Sequence, residues 1–114
     1  MTIEDIQLIC EAFAGTTEDI KWENHLCFNV GGKMFLVTAP DSIPHTASIK
    51  VSDEDFELLI QREGITPAPY LARYKWVHLD DINRFSKQEW EQYAKQAYEI
   101  IYAKLPAKAK KEIK

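Results

Sequence analysis

The sequence predicts an α+β domain in which an antiparallel sheet carries three helices, in the order α-β-β-β-(β)-α-β-α. Three observations predict it. Apolar residues recur at helical spacing in three separated stretches. Strand-like alternation is grouped between the first two of these stretches, which favours an antiparallel sheet with helices packed against it. Two alternating runs also flank Gly31-Gly32, the signal of a tight hairpin, because a primed turn needs positive φ at its centre.

The first helix is expected over about residues 3–14. Thr2 caps it with Asp5 three residues on, Ile3, Ile6, Cys10 and Phe13 share one face, and Gly15 can end it in a left-handed conformation. Ile20 and Trp22 alternate with charged residues and mark a short strand. Leu26, Phe28 and Val30 form the first arm of the hairpin, and Lys33 to Val37 the second. Pro40 to Pro44 is a loop, after which Ala47, Ile49 and Val51 alternate as a further strand. Ser52 caps the second helix, whose first turn holds Asp53, Glu54 and Asp55 where negative charge suits the helix dipole. Phe56, Leu59 and Ile60 give it an apolar stripe, and Gly64 ends it. The two prolines of Ile65–Tyr70 predict an irregular segment, since each removes a backbone donor. Lys75 to Leu79 reads as a strand, Asp80 to Phe85 as a loop. Ser86 and Glu89 form a capping box for a last helix that runs to about Leu105, limited by Pro106.

At 114 residues, with 46% hydrophobic and 28% charged, the chain has the size and composition of one globular domain. One domain over 1–106 with a basic C-terminal tail over 107–114 is expected. The opening Met1-Thr2-Ile3-Glu4-Asp5 has neither the basic nor the apolar region of an export signal, and no apolar run approaches a membrane span. A soluble cytoplasmic protein is therefore expected, monomeric unless an exposed sheet edge supports a dimer. The total charge is −4, yet five of the last twelve residues are lysines against Glu112 alone, so the remainder carries −8. Such a tail is either a solvated end or a basic arm for nucleic acid or an acidic partner.

No pattern of catalytic residues stands out. Cys10 and Cys27 are flanked by apolar residues and neither opens a helix, so they read as small buried hydrophobes without a depressed pKa. No serine sits in a nucleophile elbow, and His25, His45 and His78 lack metal-ligand spacing. The acidic pairs fall on turns and first helical turns, where carboxylates are ordinarily solvated. Gly31-Gly32 precedes a strand rather than a helix, unlike a phosphate-binding loop. Neither an enzymatic activity, a cofactor nor a metal is expected. The aromatic residues Trp22, Trp76, Trp90 and Tyr93 read chiefly as core, whereas Tyr70 and Tyr74 flank the proline-rich segment beside Arg73 and Lys75 and read as partly exposed.

Four stretches make the sequence familiar. Phe28-Asn29-Val30-Gly31-Gly32-Lys33-Met34-Phe35 comes first, then Ile49-Lys50-Val51 leading into an acidic helix. Gly64 to Tyr70 and Lys75-Trp76-Val77 follow, before a long helix with Tyr98 near its middle and Leu105-Pro106 at its end. In these blocks and their order the chain resembles the MmcQ/YjbR family. The resemblance implies a fold similar to that of type III secretion chaperones, a double-wing DNA-binding role and no enzymatic activity. Carried over by position, it makes Lys33, Lys50, Arg73 and Lys75 the candidate nucleic-acid contacts. The chain departs from the family pattern just before the tryptophan, where Ala72-Arg73-Tyr74-Lys75 replaces an Asn-Lys-Arg-His-like run.

Two functional readings follow. One is a DNA-binding module, in which the basic residues neutralise phosphates of double-stranded DNA. The other is a protein- or peptide-binding adaptor, with Tyr70, Tyr74 and Trp76 as the contact residues and a sheet edge or aromatic groove as the surface.

Overall fold

The computed structural model describes residues 1–113, so Lys114 of the basic tail lies outside the described residues. The chain runs α1 (Ile3–Glu11), β1 (Thr16–Lys21), β2 (His25–Val30), β3 (Lys33–Ala39), β4 (Thr46–Lys50), α2 (Asp53–Leu59), β5 (Ile65–Pro67), β6 (Trp76–Leu79), α3 (Lys87–Ala103) and α4 (Ala107–Glu112). The strands form one sheet in the order β1-β2-β3-β4-β6-β5, and every pair is antiparallel. Among the described residues, no helix is long and apolar enough to cross a membrane.

Alternation along the strands sends one set of side chains to the helices. Phe28, Leu36, Ile49, Val77, Leu79 and Ile65 share a core with Ile6 and Cys10 of α1, Phe56 and Leu59 of α2, and Trp90, Ala94 and Ala97 of α3. Both predicted capping boxes form, Thr2 with Asp5 and Ser86 with Glu89, and Ser52 caps α2. Gly31 (φ +57) and Gly32 (φ +78) make the expected hairpin turn. Gly31 answers a second demand as well, because a Cβ there would come within 2.6 Å of Leu105 Cδ1 at the end of α3. In that hairpin the register shifts at Phe28/Asn29, so Leu36 faces Phe28 while Met34 faces Asn29. Phe35 is the extra residue of the bulge and joins Leu36 in the core, which leaves Met34 for the opposite face.

Four expectations are corrected. Ile65–Pro67 is a strand, not irregular chain: β5 lies at the sheet edge and pairs only with β6, a position where a proline's missing donor is tolerated. Among the described residues there are four α-helices rather than three, since the lysine-rich residues after Pro106 form α4, with Ala109 and Ile113 packed against the core. Trp22 lies beyond β1 in a turn, and α1 ends at Glu11. The segment Asp80–Phe85, expected as loop, contains a 3-10 turn over Ile82–Arg84.

Candidate functional site

The sheet has a second face, which the C-terminal end of α3 reaches through Ile101 and Lys104. On it Cys27, Val37 and Trp76 are buried under Ala68, with Met34 and Leu71 packed against them. The connection from β5 to β6 folds across this face, tied down by bonds from Ala68 N to the Trp76 carbonyl (3.0 Å) and from Trp76 N to the Leu71 carbonyl (3.3 Å). Two depressions are left on either side of the Met34–Leu71 contact, and both residues line both of them.

The first depression, of about 540 Å³, gathers Lys33, Lys50 and Lys104 around Tyr74, Trp76 and Ile101. Lys50 is drawn in because it stands opposite Trp76 in the β4–β6 ladder. Its ammonium donates to the Tyr74 carbonyl, and the residue is only 6% exposed. Burial holds Lys50 below the ordinary lysine range, the charges of Lys104 and Lys75 push it further down, and Asp53 opposes them. Lys33 and Lys104 are exposed. Like charges so placed, with no Asp or Glu among the described residues that line the cavity, make an electrostatic hollow that favours an anion.

The second depression, of about 560 Å³, is apolar and aromatic. Val37, Met34 and Leu71 form its floor, and Trp22, His25 and Tyr70 stand around it. Tyr70 is 99% exposed and Trp22 64% exposed. Both hold left-handed backbone, φ +65 and φ +51, which for a residue with a side chain costs roughly 1–2 kcal/mol. The Trp22 ring meets only the edge of His25, at 5.8 Å between centroids. Here too no described acid lines the cavity.

Of the residues singled out by sequence, Lys33, Lys50, Tyr74 and Trp76 are brought together, and Tyr70 occupies the adjoining depression. Arg73 stays beside them, its guanidinium 4.9 Å from the Tyr74 ring centre and donating to the Tyr74 hydroxyl at 2.7 Å. Lys75 is turned elsewhere: its Nζ lies over the Phe56 ring of α2, 4.8 Å from the centroid. Sequence reasoning missed Met34 and Leu71, and had Lys104 only as part of the lysine tail rather than at this depression. Lys104 could have been placed there, because it follows Ile101 by three residues and so shares its helix face.

Burial, then Glu18 and Glu11, push the Cys10 thiol up to about 12, and burial also raises Cys27, so neither is a thiolate at neutral pH. His78 accepts or donates a 3.0 Å bond with Ser48, and burial lowers its pKa against the pull of Asp80.

Comparison with known proteins places this architecture. The YjbR family model matches residues 11–100. The crystal structure of protein DR2400 from Deinococcus radiodurans, which carries the DUF419 domain, superposes with a TM-score of 0.86. The two are 23% identical, over 97% of this chain and 86% of that one, a likeness that establishes the fold. No curated protein matches the sequence.

Proposed function

The chain belongs to the YjbR family, and on that footing we propose that it is a non-catalytic module that binds nucleic acid through its phosphates. The observation that carries the reading is the convergence of Lys33, Lys50 and Lys104 on one depression without a lining acid. Phosphate neutralisation supplies most of the affinity of such modules, and it needs a local concentration of cations rather than a basic protein. That requirement is met here despite the −8 carried by the chain outside its last twelve residues. Lys108 and Lys111 follow Lys104 on α4 and are exposed, which extends the cationic surface along the chain. The free state of Cys10 and Cys27 suits a reducing cytoplasm.

Fluorescence anisotropy of a labelled random-sequence duplex, repeated across a salt series, tests the reading. Micromolar binding is expected at low salt. Each phosphate neutralised contributes about −0.9 to the slope of log affinity against log salt, so three lysines give roughly −3. Lys33→Glu with Lys104→Glu should abolish most of that slope. Absence of binding at low salt, by this duplex and by a single strand of equal length, would overturn the proposal.

A second reading, binding of an extended peptide, is favoured by the nearly complete exposure of Tyr70 and by β5, which is paired on one side only. Recovery of a stoichiometric protein partner that is lost in Tyr70→Ala would favour it over nucleic acid.

A further inference from the structure

We infer that the nucleic acid taken up here is single-stranded, with a base seated between Trp22 and Tyr70 and an adjacent phosphate at Lys33, Lys50 and Lys104; this rests on the nucleic-acid reading proposed above. The two depressions share Met34 and Leu71, so they form one path across the open sheet face. One end of that path is cationic and the other aromatic, and no described acid lines either. A single strand alternates anionic phosphates with flat apolar bases and matches both ends at once. A duplex keeps its bases stacked inward and can offer only phosphates, so it would leave the aromatic end unused. A neutral peptide would fill the aromatic end and leave the three lysines facing one another without an anion.

The backbone adds an independent argument. Trp22 and Tyr70 are held in left-handed conformations that place large rings in solvent, 64% and 99% exposed, with no core contact in return. Such backbone clusters at functional sites, and of the four described residues other than glycine that hold it, Trp22 and Tyr70 are the two that line the aromatic depression. Stacking against a base supplies the packing partner that the protein itself withholds, and it does so for any base, because every base has a π face. The acidic remainder of the chain, −8 outside the last twelve residues, repels a polyanion from other routes across the surface.

The test is an anisotropy titration of the full chain with three labelled probes of equal length: oligothymidylate, oligouridylate and a mixed-sequence duplex. Either or both single strands should bind at least about 10-fold more tightly than the duplex, and the preference between them tells DNA from RNA. Trp22→Ala and Tyr70→Ala should each weaken single-strand binding by about 5- to 150-fold, the range seen when one stacking ring is removed. Both leave duplex binding unchanged. These side chains are exposed, so the variants keep the wild-type melting transition. Duplex binding as tight as single-strand binding, or wild-type affinity for single strands in both variants, would overturn this inference and leave the nucleic-acid reading standing. Retention of a peptide through Trp22 and Tyr70 with no effect on oligonucleotides would overturn it equally. Failure of all three probes to bind at low salt would overturn both.

Discussion

The two faces of the sheet are built from alternate residues of the same strands, and they have opposite chemistry. Toward the helices, Phe28, Leu36, Ile49 and Val77 are fully buried and meet Ile6, Trp90, Ala94 and Ala97. Toward the opposite side the same strands present Cys27, Val37, Lys50 and Trp76, covered only in part by the β5–β6 connection. The first face gains from every group it removes from water. The second keeps a buried lysine, other lysines beside it and two aromatic residues in strained backbone. Those features oppose folding, and a domain of this size has little stability to spare. The difference teaches that one face is spent on burial alone, whereas the other joins a smaller buried cluster to charged and aromatic groups that burial does not explain.

The largest effect is expected on the covered face. Trp90 is fully buried and its indole N–H donates to the Ile82 carbonyl at 2.7 Å. Trp90→Ala should cost about 3–5 kcal/mol in chemical denaturation, through the cavity and the orphaned carbonyl. Oligonucleotide affinity per folded molecule should be unchanged. Next comes Gly31→Ala, which sits where the faces meet. Its φ of +57 and the 2.6 Å approach of a Cβ to Leu105 predict a loss of roughly 1–3 kcal/mol. Because it pushes the hairpin from the end of α3, it should also part Lys33 from Lys104 and weaken binding several-fold, read by anisotropy.

Lys50→Met sharpens the contrast, because the two faces predict opposite signs. The folded state holds Lys50 below its ordinary 10.5, so the charged form opposes folding. Wild-type stability should therefore rise as pH climbs through the folded pKa toward 10.5, relative to Lys50→Met, which lacks that rise. At neutral pH the variant should be at least as stable as wild type, yet its salt slope for oligonucleotide binding should fall by about 1. Urea melts across alkaline pH and a salt series read the two signs separately. Lys75→Ala is expected to do least. Its ammonium lies over Phe56 and lines neither depression, so about 0.5 kcal/mol of stability should go with at most a slight change in affinity, through its charge near Lys50.

Local features were legible in the sequence, and features that depend on distant pairing were not. Gly31-Gly32, the two capping boxes and the Trp90–Ala94–Ala97 face each follow from residues within a few positions of one another. β5 was hidden because Pro67 within it and Pro69 just after it argue against a strand, and its edge position, set by pairing with β6, removes the objection. α4 was hidden by its lysines, since its two anchors, Ala109 and Ile113, are too sparse to make a stripe. Of the residues lining the cationic depression, Lys33 and Lys50 were singled out through the family resemblance, and Tyr74 and Trp76 from the aromatic, proline-rich segment. Lys104 is far from them in sequence and is delivered by the packing of Leu105 against Gly31. Lys75 stands apart from the others for a simpler reason. It adjoins Trp76 and has left-handed backbone, so the two side chains leave the chain in different directions.

The most direct test of the account is a two-dimensional amide NMR titration of the protein with an unlabelled 12-nucleotide single strand. The account predicts that the amides of Lys33, Met34, Lys50, Tyr74 and Lys104 move together, with those of Trp22 and Tyr70, while the outer faces of α1 and α2 stay still. Shifts confined to α1 and α2, or none at saturating oligonucleotide, would contradict it.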